Sequence, residues 1–121
     1  MTTESAANLR PPDDKALRLL GEMLRIEFPG APEIRGQLVG LRVRAGCTCG
    51  CGTLELHPAP TAPLAKTTSG FPVELAVLDS SGAEVGGLIL FVSGGLMSSL
   101  EIYSYDEPLP LPELSQVRRR P

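Results

Sequence analysis

The sequence is poor in aromatic residues: it contains no tryptophan, two tyrosines and three phenylalanines. Its core must therefore be built from aliphatic side chains, and a hydrophobic fraction of 42% is sufficient for one domain. No apolar run approaches the ~18 residues that a membrane-spanning helix requires, and the first residues lack the basic segment and apolar run of a secretory signal. We therefore expect a cytoplasmic protein that does not bind membranes.

Positive charge is also scarce. The chain has 11 lysines and arginines against 14 acidic residues, a formal net charge of −3, whereas a general nucleic-acid binder normally carries a basic stripe on a basic domain. The basic run Arg118-Arg119-Arg120 is interpreted as a solvated tail, with a phosphate or partner contact as the alternative. Nucleic acid is not expected as a partner.

Catalytic signatures are missing as well. The sequence contains no G-x-S-x-G elbow, no H-E-x-x-H pair and no phosphate-binding loop. Its one histidine, His57, precedes a proline and is expected to be exposed rather than to act as a base for a cysteine. Glu74, Glu84 and Glu101 are interpreted as ordinary solvent-facing acids. We therefore do not expect an enzyme.

Two kinds of hydrophobic periodicity divide the chain. Leu17, Leu20, Leu24 and Phe28 recur at helical spacing and predict a helix over 14–28, followed by a shorter helix over 31–38. From residue 39 the period changes to two, which predicts strands over 39–44, 53–57, 72–79, 84–92 and 96–105. The predicted fold is α+β with two layers, in which two N-terminal helices pack on an antiparallel meander of about five strands.

A single domain is expected at this length. Residues 1–12 are polar, end in two prolines and are interpreted as a flexible N-terminal arm. Residues 13–106 form the domain. The Pro-rich residues 107–121 are predicted to be a tail that either packs across the sheet as an extended segment or is loose.

All three cysteines lie in the segment GCTCGCG, residues 46–52. The spacing Cys47-x-Cys49-x-Cys51 differs from the C-x-x-C pairs of zinc knuckles, yet the surrounding glycines permit a curled backbone on which three thiolates converge. Three interpretations stay open: small buried hydrophobes in a turn, a redox or nucleophilic thiol, and a metal site with zinc as the candidate ion. His57 would lie ~20 Å from Cys51 on an extended strand, which weakens it as a fourth ligand; Glu55, water or a second chain could replace it.

The last predicted strand carries a second candidate site. In the segment LMSSLEIYSYDEP, strict alternation places four residues on one face of the sheet: Met97, Glu101, Tyr103 and Tyr105. Tyrosines and a methionine rimmed by acids suit a partner surface, because aromatic side chains anchor interfaces at low entropic cost. The alternative is that the leucines of the C-terminal tail cover this face.

Three segments, FPGAPEIRGQL, GCTCGCGTLEL and GGLMSSLEIYSYDEPLPLP, together resemble a group of small uncharacterised bacterial proteins, mostly actinobacterial. The resemblance covers residues 15–112 and implies no activity, cofactor or catalytic residue for this chain. The segment LEIYSYDEP is also similar in character to small immunity-type proteins that neutralise bacterial toxins.

Two hypotheses follow from these observations. The first is a small soluble, non-enzymatic binding or interaction protein, immunity-like or homodimeric, that uses the face of Tyr103 and Tyr105. The alternative is a metal-binding or thiol protein built on Cys47, Cys49 and Cys51. Whether the three sulfur atoms converge distinguishes the two.

Overall fold

A computed structural model describes residues 8–46, 51–66, 70–71 and 73–120. Helix α1 spans Asp14–Met23 and helix α2 spans Ala31–Gly36. Six strands follow, and they are β1 (Arg42–Ala45), β2 (Leu54–His57), β3 (Val73–Leu78), β4 (Glu84–Ser93), β5 (Leu96–Ser104) and β6 (Val117–Arg119). A short 3₁₀ helix, Leu114–Gln116, precedes β6. The α+β class is confirmed, but the prediction that helical structure is confined to the N-terminal part is wrong.

Helix α1 begins where the sequence predicts. The side chain of Asp13 accepts a hydrogen bond from the backbone N–H of Ala16 at 2.9 Å and so caps the first turn. The helix ends at Met23 rather than at Phe28, and the Arg35 side chain donates a 2.7 Å hydrogen bond to the carbonyl of Leu24, which has no partner within the helix. Phe28 still packs against the core from outside the helix.

The strands form one antiparallel sheet of six strands in the order β1-β2-β5-β4-β3-β6. The prediction of a meander of about five strands is wrong in both number and order. Only β3, β4 and β5 follow each other as a meander, whereas β2 pairs with β5 and the C-terminal β6 pairs with the free edge of β3. Both of these pairings join segments that are distant in sequence, so the hydrophobic period could not reveal them.

Glycine sets the tight turn between β4 and β5. Gly94 and Gly95 both have positive φ, at 60° and 83°, which is the requirement of a two-residue hairpin turn that matches the twist of the strands. This turn places the N-terminal end of β5 directly beside the C-terminal end of β4.

The core lies between the helices and one face of the sheet. Leu19, Leu20 and Met23 of α1 are fully buried together with the inward-facing residues of all the central strands. Ile34 of α2 joins the same cluster. Because both helices pack on this face, the described residues leave the opposite face of the sheet without a helix. No helix of the described residues is long and apolar enough to cross a membrane.

Both terminal segments join the sheet. Residues 1–7 lie outside the described part, but Arg10 in the predicted arm exchanges two backbone hydrogen bonds with Val43 of β1, at 2.9 and 2.7 Å. In the tail, Leu109 and Leu111 pack against the core, and the chain then forms β6. The tail thus runs along the core face and then along the edge of the sheet.

Candidate functional site

The candidate site is the face of the sheet that points away from the helices, here called the outer face. Its central residues are those that alternate with the buried positions of β3, β4 and β5, namely Glu74, Ile89, Phe91, Glu101 and Tyr103. Glu84 and Tyr105 extend it at one end of the sheet. Alternation along β5 predicts three of these residues, Glu101, Tyr103 and Tyr105, and all three are exposed.

Met97 is a correction to the predicted surface, because its side chain is only 1% exposed and lies in the core. The cause is a β-bulge. Phe91 pairs with Ser99 and Val92 pairs with Met97, so Ser98 is an extra residue on β5. The extra residue reverses the alternation, and residues before it point to the opposite side from the one that strict alternation predicts.

The two tyrosines are held in place by acidic side chains from strands β3 and β4. The hydroxyl of Tyr103 donates a 2.6 Å hydrogen bond to Glu74 Oε2, and the hydroxyl of Tyr105 donates to Glu84 Oε2. The ring centroids lie 6.0 Å apart. Tyr103 is 37% exposed and Tyr105 is 60% exposed, so each ring has a fixed hydroxyl and an accessible face.

Arg120 completes this cluster from the end of the tail. Its Nε lies 3.0 Å from Glu74 Oε2 and its Nη1 lies 2.9 Å from Glu84 Oε2, while Nη2 donates to the Tyr103 hydroxyl at 2.9 Å. A single guanidinium therefore connects both acid–tyrosine pairs. From the sequence, Arg120 is expected to be part of a solvated tail. The pairing of β6 with β3 instead brings its side chain to the outer face.

Gly87 of β4 explains how the ring of Tyr103 can lie so close to the sheet. The two residues are cross-strand neighbours, and a Cβ at Gly87 would lie 2.4 Å from the ring carbon Cζ of Tyr103. Only glycine leaves this space, so the ring covers the glycine backbone. The sequence signal was present in the pair Gly86-Gly87 within a strand, since a strand glycine often marks a close approach.

The contacts of the cluster shift the protonation of its members. The hydrogen bond to the Glu74 carboxylate raises the pKa of Tyr103 to about 12. Hydrogen bonds from Tyr105 and then from Arg120 lower the pKa of Glu84 below its usual value, and the bond to Glu84 raises the pKa of Arg120. At neutral pH the cluster therefore holds an ionised Glu84, a charged guanidinium and a neutral Tyr103 phenol.

A second aromatic pair lies further along the same sheet. The rings of Phe71 and Phe91 meet edge to face, with centroids 5.9 Å apart, and Phe71 is 57% exposed. Four of the five aromatic residues of the chain therefore belong to the outer face or its border, and Phe28 is the exception. A chain that is poor in aromatic residues has concentrated them on one surface instead of in its core.

The cysteine segment is only partly described. Cys47 and Cys49 lie outside the described residues, so their predicted role as metal ligands cannot be placed on the structure. Cys51 is half-buried and unpaired, and it contacts the core. On the described residues that flank the segment, the backbone N–H of Gly46 donates a 2.9 Å hydrogen bond to the carbonyl of Thr53.

His57 lies at the other end of β2 and faces different partners. Its Nε2 is 3.2 Å from Glu55 Oε1, and Arg44 Nε lies 2.7 Å from the same oxygen. Both hydrogen bonds lower the pKa of Glu55, and the one with His57 has the larger effect. Within the ranges that the structure describes, no group of three or more histidine, cysteine, aspartate or glutamate residues is arranged to hold a metal ion.

Comparisons with known proteins found no similarity on which to base a function. No protein-family model matches the chain, no curated protein matches it, and no solved structure matches its fold. The outer face and the cavities of the molecule are therefore the features that bear on its function.

Proposed function

We propose that this protein is a non-enzymatic interaction protein of the cytoplasm that binds a protein partner through its outer face, with Glu101, Tyr103 and Tyr105 at the centre of the contact. The observation that carries the proposal is the tyrosine pair, whose hydroxyls are held by Glu74, Glu84 and Arg120 on a sheet face without a helix. The resemblance to immunity-type proteins makes a bacterial toxin one class of partner to test.

Rigidity is the first support for this proposal. A side chain that is free in solution loses conformational entropy when an interface immobilises it, at a cost of about 0.5–1.5 kcal/mol. The rings of Tyr103 and Tyr105 already have fixed hydroxyls, so much of that loss has occurred on folding. Their exposed ring faces can then contribute apolar contact with little further ordering.

Composition is the second support. Tyrosine and arginine are among the residues that most often dominate the binding energy of interfaces, and they act best near the centre of a contact. On the outer face, the apolar side chain of Ile89 lies between its cross-strand neighbours Glu74 and Glu101, and the tyrosines follow Glu101 along the same face. The surface thus has an apolar and aromatic centre with charged groups beside it.

The test compares captured partners between surface variants. Purified protein carrying Tyr105→Arg together with Glu101→Arg is used as bait beside the wild type, in an extract of the cells that express it. The control also carries two new arginines, at exposed apolar positions elsewhere, Val39 and Leu64. Any captured protein is purified and its affinity for the three baits is measured by calorimetry.

We expect the outer-face variant to lose the partner and the control to keep it. A partner that binds all three baits equally would contradict the proposal. Sedimentation of the three proteins alone examines the homodimer, which is a second copy of this chain as partner. If the wild type and the control dimerise and the outer-face variant does not, the partner surface is a self-interface.

A thiol or metal function at Cys47, Cys49 and Cys51 is the second candidate. The observation in its favour is the backbone hydrogen bond from Gly46 to Thr53, two residues that bracket all three cysteines in the sequence. Elemental analysis of protein purified without chelator tests it, together with thiol titration. About one equivalent of zinc per chain, with thiols that react only after the metal is removed, would support a metal site, and metal-free protein with fast-reacting thiols would support a thiol function. Metal-free protein whose thiols are buried and react slowly would contradict both.

A further inference from the structure

A cavity of about 450 Å³ lies at one end of the sheet, between the strand ends and the Pro-rich tail. Its apolar walls come from Val77 and Val85 on the strands and from Leu109 and Leu111 on the tail. Three of these four side chains, those of Val85, Leu109 and Leu111, are only partly buried. The volume lies within the range of ~300–1,000 Å³ that is typical of small-molecule sites.

The wall formed by the tail is anchored. The carbonyl of Leu109 accepts a 2.8 Å hydrogen bond from Gly52, and the carbonyl of Leu111 accepts one from Lys15 at 3.4 Å. A Cβ at Gly52 would lie 2.2 Å from the backbone nitrogen of Leu111, so the tail packs directly on this glycine. The cavity is therefore formed by the folded chain and does not need a ligand to open it.

The charge around the cavity has one sign. Four carboxylates line it, those of Asp79, Glu84, Asp106 and Glu107, whereas none of its lining residues is a lysine or an arginine. Glu84 forms ion pairs with Arg120 at 2.9 Å and with Arg118 at 3.9 Å. The other three carboxylates form no ion pair with any residue that the structure describes.

Hydrogen bonds favour the ionised form of one of these acids. The side chain of Asp79 accepts from the hydroxyl of Ser81 at 2.7 Å and from the backbone N–H of Ala83 at 3.0 Å. These donors lower the pKa of Asp79, and the Ser81 hydroxyl has the largest effect. All of them are neutral groups, so the negative charge of this aspartate is uncompensated at the cavity.

We propose that this cavity binds a small organic cation, an ammonium or guanidinium group carried on an apolar body, with Asp79, Asp106 and Glu107 facing the charge. The apolar body fits against Val85, Leu109 and Leu111. This cavity adjoins the surface of the proposed function, because Glu84 and Tyr105 belong to both, but its apolar walls and its three unpaired carboxylates lie outside that surface. A free small molecule is favoured over a protein segment by the limited volume.

The test uses three probes of equal length: hexylammonium, hexanol and hexanoate. Amide NMR titration of the full chain follows the signals of Tyr105 and Leu109 at the cavity. We expect hexylammonium to bind in the millimolar range and about three- to tenfold more tightly than hexanol, since exposed carboxylates each contribute modestly. Hexanoate should cause no shift at these residues.

Two double variants then separate local charge from net charge. D106N/E107Q removes two carboxylates at exposed positions of the cavity, and E22Q/E27Q removes two from the helical side of the molecule. The first should lower the affinity for hexylammonium about threefold and leave that for hexanol unchanged, whereas the second should change neither.

Several results would overturn the proposal. These are the absence of shifts at Tyr105 and Leu109 with hexylammonium, an equal affinity for hexylammonium and hexanol, and an equal loss of affinity for hexylammonium in both double variants.

A further experiment uses the peptide acetyl-Leu-Lys-Leu-amide. If the peptide binds more than tenfold tighter than hexylammonium, the site belongs to a protein segment and not to a small molecule. None of these readouts depends on the outer-face partner, so failure here leaves the proposed function standing.

Discussion

At the scale of the residue, Gln37 has the most demanding position in the fold. It is fully buried, and its amide nitrogen donates to the carbonyls of Pro63 at 2.7 Å and Gly95 at 2.8 Å. Its amide oxygen accepts from the backbone N–H of Met97 at 2.8 Å. One side chain thus connects α2, the Pro-rich loop after β2 and the start of β5, and a buried glutamine is tolerated because all its polar atoms are satisfied.

We predict that Gln37→Met, which keeps the volume and removes the polar atoms, lowers the free energy of unfolding by about 3 kcal/mol or more, because buried backbone groups lose their partner. Gln116→Met is the matched control, since Gln116 also makes two hydrogen bonds but is only half-buried. Its loss should be about 1 kcal/mol or less, because water can replace the bonds. Urea denaturation measures both, and equal losses would contradict the prediction.

Tyr103 offers a direct measurement of the outer-face cluster. The chain has two tyrosines, so Tyr105→Phe leaves Tyr103 as the only phenol that can be titrated by near-ultraviolet absorbance. We predict that the phenol of Tyr103 titrates with a pKa of about 12 in this variant, because its hydrogen bond to Glu74 stabilises the protonated form. Adding Glu74→Gln should return the midpoint toward the usual value of 10.0. Circular dichroism at each pH shows that the protein is still folded.

The same shift predicts a loss of stability at high pH. A phenol whose pKa is raised on folding stabilises the folded state fully below its unfolded value of about 10, and this stabilisation disappears as the pH rises toward 12. A midpoint near 10 for Tyr103 in the folded Tyr105→Phe protein would show that Glu74 does not hold its proton in solution.

At the scale of the element, the sequence predicts where the strands lie better than it predicts which strands pair with each other. Alternation along β5 correctly predicts Glu101, Tyr103 and Tyr105 on one face, because side chains in a strand alternate wherever no bulge intervenes. It misplaces Met97, because nothing in the pattern shows that Ser98 is an extra residue. Glu74 and Glu84 could not be assigned as hydrogen-bond partners of the tyrosines before the order and register of the strands were known.

Strand β6 is the element that the sequence hides most completely. Its residues Val117–Arg119 have no alternating apolar pattern, and two of the three are arginines. They form a strand because the edge of β3 is open and because Arg120 binds Glu74 and Glu84 beyond it. This strand covers a hydrophobic edge that would otherwise be free to pair with another chain.

We predict that Arg120→Gln loosens β6, whereas Arg119→Gln does not. Both changes remove one positive charge, but Arg119 is exposed and has no side-chain hydrogen bond or ion pair within the described part of the chain. Amide hydrogen exchange in β6 should be faster in Arg120→Gln, and light scattering should show more self-association through the exposed edge of β3. Equal exchange in the two variants would mean that backbone pairing alone holds the strand.

At the scale of the whole molecule, the class of the fold follows from the period of the sequence and its topology does not. The change from helical to alternating period near residue 39 correctly separates two helices from a sheet. The order of the strands depends on pairings such as β2 with β5, which are decided by packing on the helices and by the docking of the tail. The outer face, and the cavity at its end, exist only after these pairings are made.

Acidic side chains determine how the stability of the whole molecule depends on pH. The pKa values of Glu55, Asp79 and Glu84 are all lowered in the folded state by hydrogen bonds to the ionised carboxylates. A lowered pKa means that the unfolded chain binds protons first as the pH falls. The stabilisation is therefore complete above the unfolded values of 4.5 for glutamate and 3.8 for aspartate, and it is lost as the pH falls through the folded values.

We predict that the urea midpoint falls steeply below about pH 4.5 and that Asp79→Asn makes this fall shallower. The asparagine oxygen can still accept from Ser81 and Ala83, so the turn between β3 and β4 keeps its hydrogen bonds while the titrating group is gone. Asp106→Asn is the matched control, because its carboxylate accepts no hydrogen bond from any described residue. If the two variants have the same pH profile, the hydrogen bonds of the turn do not stabilise the ionised aspartate. Tyr103 adds a loss of stability at high pH. We therefore expect the protein to be most stable between about pH 4.5, where the carboxylates begin to bind protons, and about pH 10, where the phenol begins to lose its proton.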